Sequence, residues 1–370
     1  MITAGNTSAG GGEKHVLDLS SGFIKRGHNV MVVAPIGGDV LDRASDLGCE
    51  TQGVESWNPL SAKIHHALAR LIHDWKPDIV HAHGPRAAYF ARHQSAEVHS
   101  RLVYTIHGIH AGHGMLGAVK LAVERRDKQK VVAYIVTCRA DFDQGEQMGI
   151  LVPDITRIIY NGVPDPQPTT SGRFRAQMNI DSARPLVLHV GRISQPKDHP
   201  TLLAAFDRTW SMLSGAMKPV LVLVASGSSC DRAFLRRRIN RLDSRSDIYL
   251  LDVQTDLAPL YTDADIFMLS SLWEARPYVL VEAMQYQCAV ISTDVGGVNE
   301  VVTDGKTGIL VPPKSPEQLA QALCNIIVDH DVCGRLAIAG QESIVGRFTL
   351  DEMVDRTLEV YQQALGTPVR

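Results

Sequence analysis

The 370-residue chain lacks several features that mark large classes of protein. No apolar run approaches the roughly 20 residues that span a bilayer, and no secretory signal pattern opens the sequence, so we expect neither membrane insertion nor secretion. The six cysteines are scattered without a C-x-x-C pair, which indicates reduced thiols in the cytoplasm instead of a disulfide framework or a zinc site. The formal net charge of -3 gives no basic field for binding nucleic acid.

Signatures of metal sites and of common catalytic loops are also missing. Most histidines fall in the first third, but no H-E-x-x-H pattern appears, and His81-Ala-His83 has no carboxylate or cysteine at a recognised ligand spacing. We therefore expect no metal site. The glycines at 10–12 fit neither a P-loop nor G-x-G-x-x-G, which argues against a dinucleotide-dependent oxidoreductase, and no G-x-S-x-G nucleophile signature occurs.

Short apolar segments alternate with patterns of helical period along the chain. Because alternating strands and helices favour parallel sheets, we predict an α/β fold, and the length predicts about two domains. Met1–Ala4 is short for a buried parallel strand. The other predicted strands are Val30–Ala34, Ile79–Ala82, Leu102–Ile106, Val131–Thr137, Ile155–Tyr160, Leu186–Val190, Val220–Ala225, Ile248–Leu251, Ile266–Leu269, Val290–Thr293 and Gly308–Val311.

A segment rich in proline and glycine separates the two halves. Residues 161–172 hold three prolines and two glycines, which cannot continue a helix or a central strand. We predict an N-terminal domain at 1–164, a linker at 165–184, a C-terminal domain at 185–348 and a final helical segment at 349–370.

Charged side chains follow the strands of the second half. Arg192 and Lys197 come after one strand and suit a diphosphate, because arginine can donate two parallel hydrogen bonds and lysine acts as a point charge. Glu274 follows another strand, and Glu282 lies early in the next helix. Since ligands of parallel sheets bind outside the carboxyl ends of strands, these carboxylates suit a ligand rich in hydroxyls. Each loop alone could equally be an ordinary solvated loop.

Glycines and one histidine follow other strands. Gly11, Gly12, Gly296 and Gly297 would let the backbone approach a ligand closely, and Gly11 and Gly12 lead into a helix whose N-terminus favours an anion. His107 follows a third strand. Taken together, these loops fit a nucleotide diphosphate that carries a sugar.

Nearly the whole sequence resembles the retaining glycosyltransferases of family four. This resemblance implies the GT-B fold, with two Rossmann-like domains that face each other across a cleft and a C-terminal helix that crosses back to the N-terminal domain. The matching stretches, in order, are G-G-G-E-K-H-V-L-D-L (10–19), R-G-H-N-V-M-V-V (26–33), P-D-I-V-H-A-H (77–83), T-I-H-G (105–108), I-I-Y-N-G-V (158–163), H-V-G-R-I-S-Q-P-K-D (189–198), A-D-I-F-M-L-S-S (264–271), E-x7-E (274–282) and G-G-V-N-E-V-V-T-D-G-K-T-G-I-L-V-P-P (296–313).

The resemblance implies a role for each matching residue. Arg192 and Lys197 would hold the donor's diphosphate, Glu282 the nucleotide ribose and Glu274 the hydroxyls of the transferred sugar, while His107 would lie beside that sugar.

It also implies the remaining components of the reaction. Gly11 and Gly12 would admit phosphate and acceptor, and no cofactor or metal is needed beyond the nucleotide diphosphate sugar. The expected activity is transfer of a hexose to a glycan or lipid-linked glycan with retention, in cell-envelope or extracellular polysaccharide synthesis.

One loop departs from the family pattern. Ala275, Arg276 and Pro277 replace the usual glycine, aromatic residue and glycine between the two glutamates. This departure motivates the alternative that the chain is a catalytically weak GT-B protein, which binds nucleotide or glycan without turnover.

Residues 119–130 add one feature outside these motifs. Lys120, Arg125, Arg126, Lys128 and Lys130 crowd a predicted helix that also carries apolar residues. A basic amphipathic helix can lie on an anionic membrane, so we predict peripheral contact with the inner membrane face; a solvated charged helix is the alternative.

Overall fold

The computed structural model describes residues 1–5, 10–55, 57–58, 61–109, 114–254 and 256–366, with the backbone alone at 114–116. The chain forms two compact units. The first comprises Met1–Gly162 and Thr349–Arg370, and the second comprises Val163–Phe348. The predicted linker at 165–184 lies within the second unit.

The first unit is built on a parallel sheet of seven strands. Their order across the sheet is β3-β2-β1-β4-β5-β6-β7. The strands are β1 Ile2–Thr3, β2 Met31–Pro35, β3 Glu50–Val54, β4 Val80–His83, β5 Leu102–Ile106, β6 Ala133–Val136 and β7 Thr156–Ile158. The helices of this unit are α1 Gly11–Lys25, α2 Val40–Asp46, α3 Ala62–Trp75, α4 Gly84–Arg92, α5 Ala96–His99, α6 Gly114–Asp127, α7 Arg139–Gln147 and, at the end of the chain, α15 Leu350–Ala364.

The second unit contains a parallel sheet of six strands in the order β10-β9-β8-β11-β12-β13. The strands are β8 Leu186–Arg192, β9 Val220–Ser226, β10 Ile248–Leu251, β11 Ile266–Leu269, β12 Ala289–Thr293 and β13 Ile309–Val311. The helices are α8 Arg173–Gln177, α9 His199–Met212, α10 Ser229–Ile239, α11 Ala258–Asp263, α12 Tyr278–Gln285, α13 Pro316–Val328 and α14 His330–Ile344.

Central strands are buried on both faces, which explains their continuous apolar runs. In β5, Leu102, Tyr104 and Ile106 point into one core cluster, whereas Val103 points into the cluster on the opposite face. The predicted parallel α/β fold is confirmed. The edge strand β3 was not predicted, because its sequence E-T-Q-G-V is polar and its first three residues are exposed.

Part of the predicted linker packs firmly onto the second unit. Asp263 accepts hydrogen bonds from the backbone N–H groups of Gly172 (2.5 Å) and Arg175 (2.9 Å). The buried Arg175 guanidinium pairs with Asp265 at 2.7 Å. The predicted linker therefore lies close to the boundary between the two units, and side chains about 90 residues further along the chain hold part of it in place.

The C-terminal helix α15 packs against α1 of the first unit, as the fold prediction required. Gly22 is the closest point: a Cβ atom there would lie 2.3 Å from Val354 Cγ2. At the end of α1, Arg26 pairs with Asp351 (2.9 Å) and Asp355 (2.8 Å) of α15. The chain thus returns to its first unit after completing the second.

Candidate functional site

The centre of the site in the second unit is an ion pair between two predicted residues. Lys197 Nζ donates to Glu274 Oε1 at 2.5 Å, and Ser271 Oγ donates to the same oxygen at 2.6 Å. The side chains of Lys197 and Glu274 are 18% and 13% exposed, so both charges are mostly withdrawn from water. The structure therefore unites one predicted cation and one predicted carboxylate that lie 77 residues apart.

Hydrogen bonds to backbone carbonyls fix the turn that carries Lys197. Ser270 Oγ donates to the carbonyl oxygens of Lys197 (2.8 Å) and Asp198 (3.0 Å). The N–H of Leu272 donates to the carbonyl of Pro196 at 2.7 Å. These bonds join the loop after β8 to the loop after β11, because the two strands are neighbours in the sheet.

The glycines at 296 and 297 lie directly against the acidic loop. A Cβ atom on Gly296 would lie 1.8 Å from the carbonyl oxygen of Glu274, and the φ angle of Gly296 is +53°. The N–H of Gly297 donates to the carbonyl of Ala275 at 2.9 Å. Because Gly296 and Gly297 have no side chains, the Glu274 loop packs directly against their backbone. The sequence did not reveal this packing role.

Glu282 lies on α12 and faces an aromatic pair. Tyr261 OH donates to Glu282 Oε2 at 3.0 Å, and the Tyr261 ring stacks on Tyr286 with centroids 5.7 Å apart. Burial, reinforced by the negative charge of Glu282, raises the pKa of Tyr261 well above its ordinary value. Tyr261 therefore stays protonated as a donor that orients the carboxylate.

The two arginines near the site have opposite environments. Arg192, at the end of β8, is exposed and has no ion pair among the residues that the structure describes. It is available to an anion arriving from solvent. Arg276, in the loop that departs from the family pattern, is only 3% exposed, and its guanidinium lies 3.6 Å from the centre of the Phe348 ring.

In the first unit, three histidines lie close together near the carboxyl ends of β4 and β5. His107 Nε2 lies 3.2 Å from His83 Nδ1, and the rings of His15 and His107 are 4.8 Å apart between centroids. A Cβ atom on Gly12 would lie 3.3 Å from the His107 ring, so Gly12 brings α1 close to this imidazole. Gly11 is exposed at the start of α1.

Sequence reasoning missed several residues of these sites. Ser271 and Tyr261 are unremarkable in sequence, because only the fold brings their hydroxyl groups to Glu274 and Glu282. His15 and His83 lie inside the matching motifs, but nothing in their spacing indicated that they would meet His107.

The prediction of one basic helix spanning 119–130 is partly wrong. Helix α6 ends at Asp127, so Lys128 and Lys130 lie beyond it. Both Arg126 (2.7 Å) and Lys130 (3.0 Å) pair with the buried carboxylate of Asp127, which reduces the charge they offer to a membrane. Arg126 is the main reason that the pKa of Asp127 lies well below its usual range. None of the described helices combines the length and apolarity needed to cross a bilayer.

Two family models match consecutive parts of the chain and together cover most of it. The model "Glycosyltransferase Family 4" matches residues 9–165, and "Glycosyl transferases group 1" matches residues 171–343. The chain belongs to the family-four glycosyltransferases.

Curated relatives of this family-four glycosyltransferase include an α-maltose-1-phosphate synthase and a glycogen synthase. The α-maltose-1-phosphate synthase of Mycolicibacterium smegmatis is 27% identical over 58% of this chain, which spans 58% of that enzyme's length. The glycogen synthase of Mycobacterium tuberculosis is 25% identical, over 96% of this chain and 91% of its own.

Solved structures confirm the GT-B fold. HepE of Anabaena, solved in complex with UDP-glucose, superposes with a TM-score of 0.86 at 20% identity, covering 98% of this chain and 99% of its own. The sucrose-phosphate synthase of Thermosynechococcus elongatus gives 0.80 at 21% identity, covering 99% of both chains.

Proposed function

We propose that this family-four glycosyltransferase transfers a hexose from a nucleotide diphosphate sugar to a glycan or lipid-linked glycan, with retention of the anomeric configuration. The observation that carries the proposal is the Lys197–Glu274 pair, held at the carboxyl edge of the second sheet and seated on Gly296 and Gly297. The complex of the HepE relative with UDP-glucose supports a donor of this class.

The second unit supplies the groups that this donor requires. Arg192 is exposed and would attract the diphosphate, and Lys197 would add a point charge that stabilises the leaving phosphate. Glu274 would accept hydrogen bonds from sugar hydroxyls while it holds Lys197 in place. Glu282, oriented by Tyr261, would accept hydrogen bonds from the ribose.

The chemical step needs no carboxylate nucleophile. The acceptor oxygen forms a bond to the anomeric carbon as the bond from that carbon to the diphosphate oxygen breaks. The acceptor's proton passes to the departing phosphate, whose negative charge Arg192 and Lys197 stabilise. The family resemblance assigns His107 to the transferred sugar and Gly11 and Gly12 to phosphate and acceptor, and these roles stay predictions.

We also propose a cytoplasmic location with peripheral membrane contact through residues 119–130, in cell-envelope or extracellular polysaccharide synthesis. Val119, Lys120, Arg125 and Arg126 are exposed on α6 and would form the contact. Sedimentation with anionic vesicles should fall for a Lys120→Gln, Arg125→Gln double variant and not for Lys63→Gln on α3. Equal sedimentation of wild type and double variant would reject the contact.

The proposed transfer is tested by nucleotide release from a panel of UDP-, GDP- and ADP-sugars. We expect slow release from one donor by the wild type, and a loss of at least about 100-fold in Lys197→Ala, because one charged transition-state contact contributes several kcal/mol. Glu282→Ala should raise KM more than it lowers kcat, since the ribose does not change during transfer. Arg208→Ala, which breaks an exposed ion pair with Glu317, is the matched control and should leave release unchanged.

The alternative of binding without turnover makes a different prediction. Free UDP, GDP or ADP would then raise the melting temperature of the wild type, while no sugar donor would release nucleotide. Release by the wild type that Lys197→Ala and Glu282→Ala both leave intact would instead reject the assigned site.

A further inference from the structure

Arginines of the second unit are concentrated on helix α10 and the turn that follows it. Residues 229–245 hold six arginines and only two aspartates, in a chain whose formal net charge is -3. The exposed arginines are Arg236, Arg237, Arg238, Arg241 and Arg245. A local excess of positive charge on a slightly acidic chain is the electrostatic complement of an anionic ligand.

Only the remaining arginine has a carboxylate partner in the part of the chain that the structure describes. Arg232 donates to the carbonyl oxygen of Ala225 at 2.6 Å and pairs with Asp252 at 2.9 Å. The one carboxylate of α10 itself, Asp231, accepts a hydrogen bond from Ser228 Oγ at 2.7 Å in the capping box. The five exposed arginines therefore present their full charge to solvent.

This arrangement of charges destabilises the end of the helix unless an anion binds. Arg237 and Arg241 are four residues apart, and Asn240 between them keeps helical backbone angles. Like charges at this spacing face each other and repel. Arg236, Arg237 and Arg238 lie in the last turn, where a single cation already complements the negative end of the helix dipole. An anion held between the guanidinium groups would relieve their repulsion.

An aromatic ring lies among the charges. Phe234 is 45% exposed, and the guanidinium carbon of Arg238 lies 4.9 Å from the centre of its ring. Phe234 and Arg241 are seven residues apart, so they lie on the same side of the helix, about 10 Å from each other along its axis. We call the surface formed by Phe234, Arg237, Arg238 and Arg241 the arginine face.

The chemistry of the arginine face fits a glycan that carries carboxylates. A guanidinium group donates two parallel hydrogen bonds to a carboxylate, a geometry that lysine does not offer, and residues 229–245 contain no lysine. The CH groups of a sugar ring are apolar and can pack on Phe234, whereas a small inorganic anion gains nothing from an exposed phenyl ring. A polymer whose sugars each bear a carboxylate offers both groups at regular intervals.

A bilayer fits the arginine face less well. Leu235 and Ile239 are buried in the core of the second unit, so α10 cannot turn them toward acyl chains. Phe234 is the single large apolar side chain that α10 exposes. The helix therefore lacks the free apolar side that an interfacial helix inserts into a membrane.

We propose that the arginine face of α10 binds an anionic polysaccharide. The guanidinium groups of Arg237, Arg238 and Arg241 hold carboxylates of successive sugars, and Phe234 packs on a sugar ring. The inference rests on the proposed function in one respect, because a glycosyltransferase makes a glycan the natural partner. No residue of the arginine face belongs to the site assigned to the sugar donor.

The test is fluorescence anisotropy of a labelled oligogalacturonate titrated with the full chain. We expect saturable binding that weakens as salt rises and that a neutral maltooligosaccharide does not compete for. An Arg237→Gln, Arg241→Gln double variant should bind at least about tenfold more weakly, since one charge-assisted hydrogen bond contributes about that factor. The matched control is Arg173→Gln, Arg335→Gln, which removes two exposed charges elsewhere in the second unit and should bind like the wild type.

Polyglutamate separates a glycan site from a general anion site, because it carries carboxylates without sugar rings. Phe234→Ala should weaken binding of the oligogalacturonate and leave binding of polyglutamate unchanged, since the phenyl ring contacts only the sugar. Alanine is a good helix former, so α10 should persist in this variant. Equal affinity of the wild type for the two polymers, or no effect of Phe234→Ala on either, would overturn the glycan assignment.

Further outcomes would also overturn the proposal. One is equal affinity of the wild type and the Arg237→Gln, Arg241→Gln variant for the oligogalacturonate, and another is no binding at all. Tighter binding of a single-stranded oligonucleotide or of phosphatidylserine vesicles through the same arginines would identify a nucleic acid or a membrane as the partner instead.

The nucleotide-release assay keeps this inference separate from the proposed transferase. Release from the donor alone should be the same in the wild type and the Arg237→Gln, Arg241→Gln variant, because the arginine face holds no donor. A wild type that binds the oligogalacturonate but releases no nucleotide would contradict the transferase alone. A wild type that releases nucleotide but does not bind the oligogalacturonate would contradict the arginine face alone.

Discussion

Gly296 shows how one backbone position determines the geometry of the acidic loop. A Cβ atom there would lie 1.8 Å from the carbonyl oxygen of Glu274, and a φ of +53° disfavours any L side chain. We expect Gly296→Ala to lower the free energy of unfolding by about 3 kcal/mol or more, because the clash is with backbone and cannot relax cheaply. It should also displace Glu274 from Lys197 and so reduce nucleotide release. Thermal unfolding and the release assay measure the two effects.

Gly305 is the control for that substitution. Its φ is +68°, but no heavy atom lies within 4 Å of the position that its Cβ would occupy. Gly305→Ala should therefore cost only the left-handed backbone conformation, about 1 kcal/mol, and leave nucleotide release unchanged. Equal stability loss in the two variants would show that the contact with Glu274 contributes nothing.

Residue types and their order predicted part of this site, but not its contacts. Lys197 and Glu274 were both predicted as ligand contacts from their places after apolar strands, because parallel strands present their carboxyl ends at one edge. That they pair with each other, and that Ser271 joins them, depends on β8 and β11 being neighbours, which no local pattern encodes. The histidine cluster was missed for the same reason.

At the scale of elements, the contact between α1 and α15 depends on a helical glycine. Gly22 sits where a Cβ would lie 2.3 Å from Val354, so Gly22→Ala should push the two helices apart. We expect a destabilisation of about 1–3 kcal/mol, typical of overpacking, measured by urea unfolding. Limited proteolysis should release α15 faster in this variant than in the wild type.

Gly334, in the middle of α14, provides the matched helical control. Nothing lies within 4 Å of its potential Cβ, and its φ is not positive. Gly334→Ala should therefore stabilise the chain by about 0.5–1 kcal/mol, because alanine loses less backbone entropy than glycine on folding. If Gly22→Ala lowers the free energy of unfolding and Gly334→Ala raises it, the loss at Gly22 must come from its packing against α15.

Strands were predictable where their sequences are continuous apolar runs. Leu102–Ile106 and Ile266–Leu269 were predicted with the bounds that the structure shows, since strands covered on both faces are continuous apolar runs. The half-buried edge strand Ile248–Leu251 was also predicted with its bounds, because its sequence I-Y-L-L is apolar as well. Glu50–Val54 was missed because an exposed edge strand needs no apolar residues. The end of α6 at Asp127 was missed because charged residues continue past it without a glycine or proline.

At the scale of the whole molecule, buried neutral histidines couple both units to pH. His15, His81, His83 and His107 in the first unit and His189 and His199 in the second have pKa values lowered mainly by burial. The unfolded chain binds protons on these groups below about pH 6.5, whereas the folded chain does not. The contribution of these histidines to the free energy of unfolding is therefore complete above that pH, and it declines as the pH falls.

His199 allows this coupling to be measured at one residue. Its pKa is lowered to about 4 by burial and by the charge of Lys197, with Asp198 opposing, and the His189 ring lies 5.0 Å away between centroids. Between pH 6.5 and 4 it should contribute a slope approaching 1.4 kcal/mol per pH unit to the free energy of unfolding. His199→Gln should lower the pH dependence of the free energy of unfolding by the equivalent of about one bound proton, measured by urea unfolding at stepped pH. Parallel slopes for wild type and His199→Gln would show that His199 titrates alike in the folded and unfolded chain.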